Sequence, residues 1–151
     1  MRIARELTWR MVLRWVLAVV LVWAALSKIA NLNEFYLNIR LYQLPAPDPL
    51  VRVVAMVLPW LELLCGILLI GGTARRAALL WVMILFAGFV VATGQAWARG
   101  LDISCGCFKL DFLSEDTAKF FESVKFAFFR AVLLLTGAGY VWRTKPDHPV
   151  A

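Results

Sequence analysis

The stretch AALLWVMILFAGFVVATGQAWA, Ala77 to Ala98, decides the architecture, because its 22 residues carry no charged side chain. As a helix it would be ~33 Å long, enough to cross a hydrocarbon core of ~30 Å. Working outward, three further apolar segments have similar length. Met11–Ala30 is interrupted only by Arg14 and Lys28, each near an end where a long side chain can snorkel to water. Val53–Gly71 holds Glu62 near its middle, three residues after Pro59, and Glu122–Trp142 carries Lys125 and Arg130. Trp81 and Trp142 fall near one expected interface and Trp97 near the other, as in an aromatic belt.

The composition agrees. Of 151 residues, 62% are apolar and 17% charged, against about 45–50% and about 25% in soluble domains. Mean hydropathy is +0.76. Four spans would use ~80 residues, which leaves short loops. The sequence therefore predicts an all-α integral membrane protein, a single four-helix membrane domain over residues 1–151 with spans about 11–30, 53–71, 77–98 and 122–142. A cytosolic enzyme, a disordered chain and a disulfide-dense secreted module are excluded. The net charge of +6 sits beside the spans, where it sets topology and meets the anionic lipid bilayer, so nucleic acid is not an expected partner. The basic start and Ala24-Ala25 also fit a signal peptide. Arg14 extends the basic region, however, and no small-x-small site precedes polar sequence, so the segment is expected to remain.

Arg2, Arg5, Arg10, Arg14, Arg75, Arg76, Arg143 and Lys145 share one side of an even-spanning chain. The positive-inside rule makes that side, with both termini, cytoplasmic. The outer loops are the longer ones. Asn31–Leu50 spaces Phe35, Ile39 and Tyr42 as a helix would before breaking at Pro45, Pro47 and Pro49, which predicts a short interfacial helix. In Arg99–Lys119, Ser114 is expected to cap the fourth span.

That second outer loop holds Cys105-Gly106-Cys107. A disulfide between residues i and i+2 closes a small strained ring, which is easily reduced, and such bonds tend to be catalytic or regulatory. Gly106 supplies the backbone freedom the ring needs. Lys109 would favour thiolate and Asp102 disfavour it. Inert or structural thiols remain open readings, as does a soft two-thiolate metal site, although no histidine stands nearby and no metal is assigned. Cys65 lies ~9 Å above the inner interface, too far to pair with the loop cysteines, and is expected to be a buried packing residue. His148 sits in the polar tail, and no hydrolase or ATPase motif is present.

Charges inside a bilayer are costly and ask for partners. Counting from the inner interface places Glu62 at ~14 Å, Arg130 at ~18 Å and Lys28 at ~25 Å. A Glu62–Arg130 pair is the expected match, with Lys28 next. It would either fix bundle register or let Glu62 relay protons or face a redox carrier. Trp23 and Trp60, at ~16–18 Å, are either packing residues or the walls of a slot for a flat ligand such as a quinone.

Leu58-Pro59-Trp60-Leu61-Glu62 with Gly66, and Arg99-Gly100-Leu101-Asp102-Ile103-Ser104-Cys105-Gly106-Cys107-Phe108, resemble the signature stretches of the MauE family of methylamine-utilisation membrane proteins, related to DoxX-type proteins. Ala25-Leu26-Ser27-Lys28 and Tyr42-Gln43-Leu44-Pro45 resemble it too, and the likeness covers about residues 10–143. Lys109 departs from it, standing where the family usually has glycine. The resemblance implies a four-helix bundle that supports maturation of exported enzymes by thiol–disulfide exchange with an extracytoplasmic partner or client, which in the methylamine dehydrogenase setting is a disulfide-rich small subunit. DoxX-type relatives imply quinone-linked electron transfer. A non-catalytic assembly or scaffold protein with a structural Cys-Gly-Cys bridge is the alternative.

The orientation has a direct check. An impermeant thiol reagent is expected to label reduced Cys105 and Cys107 in intact cells, and labelling only after lysis reverses the topology.

Overall fold

The computed structural model describes residues 2–72, 74–101 and 123–143, with side chains from Thr8 onward. Its elements are α1 (Arg2–Ala30), α2 (Leu32–Leu41), α3 (Asp48–Gly71), α4 (Arg75–Ala98) and α5 (Val124–Arg143). Four of these, α1 from Thr8, α3, α4 and α5, are long and apolar enough to cross a membrane. Each expected span is there, and α2 fills the place of the expected short helix.

Local chemistry sets the boundaries. Pro47 caps α3 and Pro49 sits in its first turn, where a missing N–H costs nothing. At the other end Gly72 takes φ +73° and its N–H donates to the Leu68 carbonyl at 3.0 Å, a left-handed stop that a Cβ would strain. Helix α5 opens on Ser123, whose Oγ accepts from the Phe126 N–H at 3.4 Å. The expected cap at Ser114 lies outside the described residues. Helix α2 is tied back to α3 through Asp48. Its carboxylate accepts from the Tyr36 hydroxyl at 2.6 Å and from Arg52 Nε at 3.1 Å, and pairs with Arg40.

The spans form a four-cornered bundle. Helix α1 packs on α3 and α5, α4 packs on α3 and α5, and among the described residues no Cα atoms of the two diagonals, α1 to α4 and α3 to α5, come within 8 Å of each other. Lipid tails are as apolar as leucine, so close packing rather than hydrophobicity holds such helices together. Small residues accordingly line the seams. Ala127, Ala131 and Ala138 are buried on α5, and Ala18 and Ala25 on α1. Gly66 is the tightest point: a Cβ there would stand 2.7 Å from Val22 Cγ2 and 3.3 Å from the Ala18 carbonyl. Cys65 is a buried free thiol in the core beside Leu17, Leu21 and Leu69.

Gly66→Ala is therefore expected to push α1 and α3 apart at a cost of about 1–3 kcal/mol. Gly139→Ala, whose Cβ meets nothing within 4 Å, should melt no lower than the wild type. Thermal unfolding of the two variants in one detergent makes the comparison.

Candidate functional site

At the centre of the bundle Lys28 Nζ donates to both oxygens of Glu62, at 2.6 and 2.7 Å. Their side chains are 1% and 3% exposed, so both charges have left solvent together. The ammonium also lies 5.2 Å from the Phe35 ring centroid and 4.6 Å from that of Phe89, which adds cation–π attraction from α2 and α4.

This corrects the expected pairing of Glu62 with Arg130. Depth was the wrong criterion, because α3 and α5 occupy opposite corners of the bundle. Direction supplies the rest. A helical Cα–Cβ bond tilts toward the helix N-terminus. Helices α1 and α3 run antiparallel, since Lys28 meets Glu62 while Val22 meets Gly66. The Lys28 side chain thus leans back along α1 as Glu62 leans up along α3, and the gap closes from both sides. Arg130 instead lines a small cavity of about 40 Å³ shared with Lys28, Glu62 and Thr93. A space of that size holds a few waters at most. The Thr93 hydroxyl is turned back onto its own helix, donating to the Phe89 carbonyl at 2.6 Å.

The aromatic slot is corrected as well. Trp23 is 47% and Trp60 59% exposed, on the outside of the bundle, and neither lines this cavity or the larger one under α2. A mid-span tryptophan facing lipid satisfies hydropathy as well as one facing inward, so composition could not tell the two apart.

Sequence reasoning missed a junction at the α2 end. The Gln95 side chain donates to the Tyr42 carbonyl at 2.8 Å. Arg99 donates to the Gln43 carbonyl at 3.2 Å and to Gln43 Oε1 at 3.0 Å. Gln43 itself has φ +47°, a left-handed conformation that these bonds help to hold. The Tyr42-Gln43-Leu44-Pro45 turn and the Arg99-Gly100-Leu101 stretch, 56 residues apart, are thus clamped together. In the sequence the two stretches stood out only as family-like motifs, not as neighbours. Asp102, Cys105, Gly106, Cys107 and Lys109, which follow that clamp in the chain, lie outside the described residues.

Four membrane-length helices around a buried ion pair define a small polytopic membrane protein. Its family is the one described as Methylamine utilisation protein MauE, which matches residues 7–143, and the chain belongs to it. Methylamine utilization protein MauE of Paracoccus denitrificans is 37% identical over 98 residues, covering 64% of this chain and 52% of that protein. The protein of the same name from Methylophilus methylotrophus is 38% identical over 91 residues, 60% of this chain and 47% of its own length. The chain thus spans about half the length of the curated relatives it matches. No solved structure matches it.

Breaking the ion pair from one side should be costly. Lys28→Met or Glu62→Gln alone strands a buried charge or polar group, typically at ~3–5 kcal/mol, whereas replacing both with apolar residues costs little. Each single variant should therefore give low folded yield, and Lys28→Met with Glu62→Leu should recover most of it, as read by size-exclusion chromatography in detergent.

Proposed function

We propose that this chain is a membrane-embedded thiol–disulfide redox protein that supports maturation of exported proteins in methylamine utilisation. Cys105 and Cys107 are the reacting pair, on the extracytoplasmic face of the inner membrane, with both termini cytoplasmic. The client is a disulfide-containing exported protein of the methylamine dehydrogenase type. Membership of the MauE family and the Cys-Gly-Cys motif carry this reading.

The exchange balances as follows. A client thiolate attacks one sulfur of the Cys105–Cys107 disulfide, that S–S bond breaks, and a mixed disulfide forms while the other cysteine leaves as thiolate. A second client thiolate then attacks the mixed disulfide, forming the client's own disulfide and releasing Cys105 and Cys107 as a dithiol. To act again, the pair must pass two electrons and two protons to an acceptor. A lipid-soluble quinone is the acceptor class that the resemblance to DoxX-type proteins implies. The bonds from Gln95 and Arg99 to the Tyr42-Gln43 turn support the reading, since they fix the end of α4 from which the cysteine loop departs.

Alkylation trapping in intact cells tests the proposal. Wild type should show both oxidised and reduced pairs, and one of Cys105→Ser or Cys107→Ser should accumulate a mixed disulfide with a client. A bridge that stays oxidised under every growth condition, with both serine variants supporting growth on methylamine, overturns exchange in favour of a scaffold.

A further inference from the structure

Under α2, between α3 and α4, lies a second cavity of about 330 Å³. That is at the lower end of volumes that hold small molecules, room for a chain rather than a bulky ligand. Val54 and Ile84 line it while remaining 38% and 51% exposed on the bundle surface, so it opens sideways onto lipid. Leu58 and Ala92 add to its apolar walls. Gly88, inside α4, lines it too, and a Cβ there would meet nothing within 4 Å, so the missing side chain deepens the cleft. An apolar cleft open to a bilayer is filled by what surrounds it, since an empty wall forgoes dispersion contacts.

Two polar groups decide which occupant fits. Asn38 of α2 lines the cavity at 9% exposure, and its carboxamide makes no hydrogen bond among the described residues. Its polar atoms are not sealed off as the Tyr42 hydroxyl is, so an occupant of the cleft can reach them. Two N–H donors left unpaired beside hydrocarbon are costly, and an acceptor carried on an otherwise apolar molecule satisfies them. The second group is Arg99. It follows Ala92 by seven residues, which puts it on the same face of α4, ~10 Å farther along the axis. Its guanidinium is exposed and donates to Gln43, the neighbour of cavity-lining Leu44. Its acceptors, on Gln43 and Gln95, are neutral oxygens, and no carboxylate among the described residues pairs with it. A full positive charge thus stands uncompensated at the rim of the cleft.

We infer that the cleft is a site for one glycerophospholipid of the leaflet on the α2 side. One acyl chain fills the cavity over Gly88, an ester carbonyl accepts from Asn38, and the phosphate lies against Arg99. A lipid presents these groups in the same order, phosphate toward water, esters at the edge of the hydrocarbon and chain within. Basic pockets between spans bind phospholipid headgroups. The site goes beyond the contact every span makes with the bilayer, because it recognises a carbonyl and an anion at fixed places. Thiol–disulfide exchange plays no part in it.

Native mass spectrometry of the purified full chain in detergent micelles, titrated with dioleoyl phosphatidylglycerol, tests the site. Wild type should retain one lipid saturably. The dialkyl ether analogue, which lacks the carbonyls, should bind about three- to tenfold more weakly, the value of one hydrogen bond. Asn38→Leu should bind the ester lipid as weakly as the ether and no longer tell the two apart. Arg99→Gln should weaken binding about tenfold, while Arg99→Lys, which keeps the charge but not the forked contact with Gln43, should lose less. Gly88→Leu, which fills the cleft, should abolish retention with the helical signal intact. Should that variant fail to fold, the ester-against-ether comparison in wild type decides. Retention without saturation, equal binding of ester and ether lipids by wild type, or equal loss in the two Arg99 variants overturns the inference. Displacement of the lipid by millimolar inorganic phosphate also overturns it, in favour of a free-anion site.

Discussion

A lysine ammonium and a glutamate carboxylate that enter a bilayer together can hardly part again, because neither has water to return to. Lys28 and Glu62 meet this condition through two short bonds, with side chains only 1% and 3% exposed. The pair sets the register of α1 against α3, and Gly66 lets those backbones come close enough for it to form. Phe35 and Phe89 then stack about the ammonium, which draws α2 and α4 to the same point. Arg130 and Thr93 complete the surround from α5 and α4. One buried charge pair thus gathers all five of the described helices.

The α2 end of the molecule is built on that centre. Asp48 holds α2 to the start of α3, and Gln95 with Arg99 holds the following turn to the end of α4. Together these bonds roof the space in which Tyr42, Asn38 and Gly88 meet. Phe89 lines both the large cavity and the small polar one, so the two are separated by an aromatic wall.

The sequence by itself determined the spans, because ~20 apolar residues have few other stable fates, and it determined the break between α2 and α3 through its prolines. It also marked Cys65 as a packing residue and singled out Glu62, Lys28 and Arg130 as charges in need of company. What it could not supply was which helices are neighbours. Depth along a span is legible from residue counting, but the corner a span occupies depends on packing between segments far apart in the chain. Arg130 therefore matched Glu62 in depth while standing on the opposite corner, and Lys28 closed an apparent gap because side chains on antiparallel helices lean toward each other. The same limit hid which way Trp23 and Trp60 face. It also hid the burial of Tyr42, whose hydroxyl has no hydrogen-bond partner among the described residues.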